Sequence, residues 1–225
     1  MKYVNFLRSH PAEPVTPVEV TDGERSVVYM AASLLLDYPK ADWAERLNQV
    51  SQAVTVLPEP ISGRFLEFCN WAQSVPQSEV EAQYVDTFDQ KRRCAPYLTY
   101  YAVGDTRGRG AAILTFQELL KAAGFELQGN ELPDYLPVVL ELCARSDDPA
   151  VKHLLPAYRE GLEVLRAALG QLGAPWTPIL ENVCAVLGPI DDQTMDLYQK
   201  LIRQGPPAEL VGNEDLPFPT SIPGA

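Results

Sequence analysis

One run of this chain constrains everything around it. Between Val151 and Leu169, apolar side chains recur as Val151, Leu154, Leu155, Tyr158, Leu162, Leu165 and Leu169. Steps of three and four put them on one face of an α-helix and scatter them over both faces of a strand. Asp148 and Pro149 ahead of the run form an N-cap and first-turn pair, and Gly170 and Gly173 follow it. The spacing predicts one continuous helix here, and a leucine stripe of that length must be buried against other helices.

The same period returns along the chain. Thr21 and Glu24 form a capping box ahead of Val27, Met30, Ala31, Leu34 and Leu35, and Asp37-Tyr38-Pro39 stops that helix. Trp43 to Val54 carries Leu47, Val50 and Val54 on one face; Phe65, Leu66, Cys69 and Ala72 make the next stripe. Ser78 and Glu81 read as a second capping box, before Val80, Tyr84, Val85 and Phe88. Pro96 opens a short helix over Tyr97–Val103, ended by Gly104. Asp105 or Thr106 caps another, with Ile113, Phe116, Leu120 and Ala123, closed by Gly124. Residues 131–145 are helical after Pro133, with Pro137 marking either the start or an irregular first turn. Thr177-Pro178 starts a further helix, and a last one runs from about Asp192 to Arg203.

Period-2 alternation is missing throughout. The expectation is all-α: a single-domain bundle of about ten helices over residues 21–204, with a loose segment at 1–20 and an extended Pro-rich tail at 205–225.

Charge excludes several function classes. A formal net charge of −12 argues against nucleic acid and against adhesion to anionic membranes. No run of apolar residues is long enough to span a bilayer, and Pro11, Pro14 and Pro17 interrupt any leader-like start. The expected location is the cytoplasm. Cys69, Cys94, Cys143 and Cys184 stand in no C-x-x-C spacing, so free and largely buried thiols are expected.

Catalytic constellations are equally scarce. There are two histidines: His10, near the start, and His153, read as a surface helix residue. No phosphate-binding or nucleophile-elbow motif occurs. Glu118, Glu126, Glu131, Asp134 and Glu141 lack any E-x-x-H partner, which makes a di-iron bundle improbable. Asp134 and Glu141 share a helical face if the helix runs through Pro137, and read as a structural ion-pair cluster with Arg107 or Arg109. A binding module is the better class, with no enzyme activity.

Against this background Tyr84–Gly110 stands out. It gathers Tyr84, Phe88, Tyr97, Tyr100 and Tyr101 with Lys91, Arg92, Arg93, Arg107 and Arg109, against only Asp86, Asp89 and Asp105. The plain reading is an aromatic core hairpin with a solvated basic loop; the sharper one is a partner-binding surface. Gly104, Gly108 and Gly110 beside Arg107 and Arg109 form either a tight turn or an anion-accepting one.

The elements Y-x-x-x-F-D and T-Y-Y-x-x-G-D-T-R-x-R-G in this stretch, with E-L-P-D-x-L-P from Glu131, resemble those of the NarJ-type nitrate reductase molybdenum cofactor assembly chaperones, within the TorD/DmsD redox-enzyme maturation group. SLLLDYP at Ser33–Pro39 and PPAELVG in the tail fit the same pattern, so the resemblance spans roughly residues 25–215. It implies a TorD-like helical domain that is not an enzyme. It implies binding to the catalytic α subunit of a membrane-bound nitrate reductase, chiefly its N-terminal segment, until the molybdenum cofactor is inserted. The group often has histidine where this chain has Tyr135, so no histidine role carries over to that place.

On that resemblance the client groove is expected to be lined by Tyr84, Phe88, Leu98, Tyr101, Leu132 and Tyr135, with Asp105, Arg107, Arg109 and Asp134 at its rim. No cofactor is expected to be bound stably; transient contact with molybdopterin carried by the client falls to the 104–110 turn. A monomer is favoured. The alternatives are a chaperone for another molybdoenzyme and a structural helical subunit.

Overall fold

The computed structural model describes residues 15–103, 107–127 and 131–187. The predicted helix at 192–203, the tail at 205–225, most of the 1–20 segment, and the caps at Gly104, Asp105 and Thr106 lie outside the described residues.

Helices follow one another in the order α1 (Asp22–Leu36), α2 (Trp43–Ala53), α3 (Glu59–Ser74), α4 (Gln77–Tyr84), α5 (Leu98–Val103), α6 (Arg107–Ala122), α7 (Leu136–Arg145), α8 (Pro149–Lys152), α9 (Leu154–Ala157), α10 (Arg159–Leu172) and α11 (Thr177–Val186). No strand occurs among the described residues; one isolated antiparallel bridge joins Tyr97 to Tyr135. No described helix is long and apolar enough to cross a membrane.

Local chemistry accounts for several ends. The Glu24 amide donates to Thr21 Oγ1 at 3.2 Å and the Thr21 amide to Glu24 Oε2 at 2.8 Å, which is the predicted capping box. Gly173 closes α10 at φ 62°, and Gly124, just beyond α6, sits at φ 79°, in the left-handed region that only glycine enters without strain. Pro137 lies in the first turn of α7, where its missing N–H is harmless.

The leucine run departs from expectation. Its periodicity holds: Val151, Leu155, Leu162, Leu165 and Leu169 are all buried. Its continuity does not, because the chain breaks into α8, α9 and α10. Pro156 lies inside the run, removes an N–H and crowds the preceding turn. The Ser78–Glu81 capping box is absent as well. The helix begins two residues earlier than that box requires, at Gln77 with Pro76 as N-cap, and Gln77 Nε2 donates to Glu81 Oε1 at 2.9 Å instead. The end of the 1–20 segment is not loose either. Val15, Val18 and Val20 pack on the core, and the Val18 amide donates to Ala185 O at 3.0 Å.

One main core holds the bundle. α1 lies along α7, and α11 packs on α1, α3 and α10. Trp176, fully buried at the start of α11, is ringed by Phe68, Trp71, Tyr84 and Phe88 at 5.3–5.8 Å between ring centres. Such offset and edge-on pairs add to the stabilisation from burial itself. A smaller cluster of Leu120, Leu142 and Val151 joins α6, α7 and α8. All four cysteines are unpaired thiols, and Cys69, Cys94 and Cys184 are buried.

Candidate functional site

The site grows out of two segments far apart in sequence. The Leu98 amide donates to Asp134 O at 3.0 Å and the Leu136 amide to Pro96 O at 2.8 Å, so the start of α5 and the start of α7 run antiparallel for one bridge. Two prolines, Pro96 and Pro133, keep both strands of this junction out of helix. Asp134 then acts as a cap supplied from outside the helix. Its Oδ2 accepts from the Thr99 amide at 3.2 Å and from Thr99 Oγ1 at 2.5 Å, satisfying a first-turn donor of α5.

Behind the junction lies an aromatic layer. The Tyr84 and Tyr135 hydroxyl oxygens are 2.7 Å apart, and Tyr84 donates to Leu36 O at 3.0 Å. Trp176 Nε1 donates to Leu35 O at 3.0 Å. Two carbonyls left over at the C-terminus of α1 are thereby taken up by aromatic side chains. Ser33 Oγ donates to Pro137 O at 2.7 Å, tying α1 to α7 at the same place. The SLLLDYP, Y-x-x-x-F-D, T-Y-Y and L-P-D-x-L-P elements thus meet in one volume.

Between them, Val85–Asp89 forms a π turn, closed by the Gln90 amide on Val85 O at 3.0 Å. It puts Phe88 against Tyr84, with ring centres 4.6 Å apart, and releases the chain into the basic loop. Tyr101 Oη lies 3.0 Å from Arg93 O and 2.9 Å from Ala95 O, pinning that loop from inside.

Burial decides which predicted residues can touch a partner. Tyr84, Phe88, Leu98, Tyr101, Asp134 and Tyr135 are all buried, Asp134 completely. They form the floor and not the lining expected of them. The Tyr84, Tyr101 and Tyr135 hydroxyls are spent on backbone carbonyls and on each other, and Asp134 Oδ2 on Thr99, while Asp134 Oδ1 is buried with no hydrogen-bond partner among the described residues. Asp134 is not at a rim, because capping Thr99 draws it inside. It also lies ahead of α7, so it shares no helical face with Glu141, which pairs with Arg145 at 2.6 Å. Asp105 and the Arg107 side chain lie outside the described residues.

What remains at the surface is a smaller group. Leu132 is 37 % exposed, and Tyr97 is half-buried, stacked 5.5 Å from Tyr135 with the Arg109 guanidinium 5.7 Å over its ring. Burial, then the carboxylates of Glu131, Asp134 and Asp89, push the Tyr97 hydroxyl up, while Arg109 opposes them. Tyr158, half-buried beside Phe116, also feels the Asp134 charge after burial. Tyr97 and Thr99 were missed as site residues although Thr99 opens the T-Y-Y element and Tyr97 lies two residues before it; nothing local distinguishes Tyr97 from Tyr101, and the Thr99 role depends on Asp134, distant in sequence.

This arrangement has little capacity for acid–base chemistry. Burial raises the hydroxyls of Tyr84, Tyr101 and Tyr135 far above the ordinary tyrosine value, so they stay protonated. His153 is exposed. Among the described residues no group of histidine, cysteine and carboxylate side chains could hold a metal ion.

Residues 43–181 match the family model described as nitrate reductase delta subunit. Among curated relatives, the nitrate reductase-like protein NarX of Mycobacterium tuberculosis is 32 % identical over 70 % of this chain, which spans only 24 % of NarX. A chain of Bacillus subtilis described as the nitrate reductase molybdenum cofactor assembly chaperone NarJ is 27 % identical, over 73 % of this chain and 90 % of its own. NarJ of Escherichia coli, of the same description, is 28 % identical over 62 % of this chain and 60 % of its own. Among solved structures, a chain described as a redox enzyme maturation protein from Archaeoglobus fulgidus superposes with a TM-score of 0.50 at 17 % identity, covering 82 % of this chain and 96 % of that one. Its likeness bears on the fold alone: an all-helical one of TorD-like type. The chain therefore belongs to the nitrate reductase delta subunit family, among relatives that include NarJ-type assembly chaperones.

Proposed function

We propose that this chain is a cytoplasmic, non-enzymatic chaperone of nitrate reductase assembly. It holds the apo catalytic α subunit, chiefly by its N-terminal segment, until the molybdenum cofactor is inserted, and then leaves. The observation that carries this reading is the convergence of the family elements on the Tyr97–Tyr135 junction, beneath a surface of Leu132, Tyr97 and Arg109. A floor tied by hydrogen bonds among Tyr84, Tyr135, Asp134 and Thr99, under a small apolar and aromatic surface, suits helix-in-groove recognition, because the groove loses little entropy when the client docks. Exposed Glu131 and Asp89 beside Tyr97 favour a client segment that carries lysine or arginine next to its apolar anchor.

Contact with molybdopterin during hand-over falls, on this reading, to residues 104–110, where the glycines and arginines of the sequence suit phosphate. The chain works as a monomer on this reading.

Affinity purification from cells separates the readings. Expected is co-purification with the apo α subunit in cells unable to make the cofactor, and loss of the chain from the mature enzyme. Stoichiometric retention in the mature complex would make it a structural subunit instead, and capture of a different molybdoenzyme would reassign the client.

A further inference from the structure

A second recognition feature is lined by none of Leu132, Tyr97 and Arg109 and does not depend on the client reading. Gln90, Lys91, Arg92, Arg93 and Cys94, on the basic loop, face Ala168, Gln171 and Leu172 at the end of α10 across a cavity of about 310 Å³. We propose that this cavity is a docking site for an acidic peptide segment of a protein partner. One leucine or phenylalanine side chain of the segment seats against Leu172, over a floor made by Cys94 and Ala168, and carboxylates beside it pair with Lys91 and Arg93.

Three observations carry this. First, charge: Arg25, Lys40, Arg46, Arg64, Arg145, Lys152 and Arg166 are each held in an ion pair, as is easy on a chain of net charge −12. Lys91 and Arg93, adjacent to one cavity, are in none with any other described residue. Cations with no ion pair among the described residues of an acidic protein are complementary to a carboxylate partner.

Second, shape and lining. Leu172 is 51 % exposed at the cavity and offers an apolar edge to a partner side chain. Cys94 is fully buried, and burial pushes its thiol up to about 12 despite Lys91 and Arg93, so that wall stays neutral. The volume stands at the bottom of the usual ligand range of about 300–1,000 Å³, enough for one large side chain and too little to enclose a dinucleotide. That favours a peptide anchor over a free cofactor.

Third, the loop is pre-organised. The Cys94 amide donates to Lys91 O at 2.7 Å and the Ala95 amide to Arg92 O at 3.2 Å, a 3₁₀ turn. The π turn holds one end and Tyr101 Oη, near Arg93 O and Ala95 O, holds the other. The cations are presented from a fixed backbone, which lowers the ordering cost of binding.

The test is selection of displayed random 12-residue peptides on the full chain, followed by anisotropy titration of the enriched ones. Expected is a class with Asp or Glu flanking Leu or Phe. Lys91→Glu with Arg93→Gln should weaken it by about ten-fold or more, since it removes charge-assisted bonds to the carboxylates. Leu172→Asp, a change at an exposed position, should weaken it too, and about 0.5 M salt should reduce it through screening. Far-UV circular dichroism and melting temperature of each variant should match those of the unaltered chain. No acidic–apolar class, or affinity unchanged in both variants, overturns the proposal. So does inorganic pyrophosphate binding alone with the same dependence on Lys91 and Arg93, which would assign the cations to a free anion.

Discussion

The hydroxyl oxygens of Tyr84 and Tyr135 lie 2.7 Å apart inside the core, and only Tyr84 reaches on to the Leu36 carbonyl. The two residues hang on one another unequally. Tyr84→Phe leaves a buried hydroxyl and a buried carbonyl without their partner, at a cost of about 1–3 kcal/mol. Tyr135→Phe removes one bond and orphans nothing else, so about 1 kcal/mol is expected. Urea unfolding of both singles and the double checks this, with the double less than additive.

Alkaline stability follows from the same burial. Tyr84, Tyr101 and Tyr135 have folded-state pKa values raised above the ordinary 10.0, chiefly by desolvation. Their contribution is complete below pH 10 and declines above it, because the unfolded chain releases protons that the folded one retains. Each such group steepens the loss by about 1.4 kcal/mol per pH unit above that point. Expected is an unfolding free energy that begins to fall near pH 9, where the buried Cys94, Cys143 and Cys184 thiols retain protons that the unfolded chain releases, and that falls more steeply beyond pH 10. Tyrosinate absorbance of these residues should appear together with unfolding and not before it.

Asp134 separates charge from capping. Asp134→Ala strips the Thr99 amide and hydroxyl of their acceptor in a fully buried place, for about 1–3 kcal/mol. Asp134→Asn keeps an acceptor oxygen and costs less. Chemical denaturation of the two variants distinguishes a cap from a required charge: equal losses would mean that the charge matters.

Gly161 holds the approach of α10 to α5. A Cβ built there would stand 2.8 Å from Tyr101 Cβ, closer than carbon atoms pack. Gly161→Ala gains about 1 kcal/mol of helix propensity and still destabilises, since overpacking costs about 1–3 kcal/mol and its target is a backbone-proximal atom. Because Tyr101 also pins Arg93 and Ala95, proteolysis at Lys91–Arg93 should accelerate in this variant.

Glu163 and Arg166 form a buried pair at 2.8 Å, with side chains 2 % and 4 % exposed. Glu163→Ala should cost about 3–5 kcal/mol by stranding positive charge, while Glu163→Leu with Arg166→Met should cost less than that single change. Thermal melts of the three chains check the order.

Much of this was legible locally. The Thr21–Glu24 box, the start of α11 at Thr177 and the αL glycine after α10 are determined by neighbours within a few residues, and the sequence displays them. The break at Pro156 was legible too, but the leucine stripe obscured it: burial dominates propensity, and the stripe stays buried across the interruption. The Asp134–Thr99 cap could not be read, since its partners are 35 residues apart and only the folded junction brings them together. The aromatic residues misled for a physical reason. Tyr and Phe serve cores and interfaces equally well, and composition does not say which carbonyls their hydroxyls will find.

The central claim is met most directly by calorimetry of the full chain with a peptide from the N-terminus of the nitrate reductase α subunit. The account predicts one-to-one binding that Leu132→Asp weakens by about ten-fold or more while the melting temperature holds, as expected for an exposed anchor contact of about 2 kcal/mol. Absence of binding by both that peptide and the whole apo-subunit would contradict it.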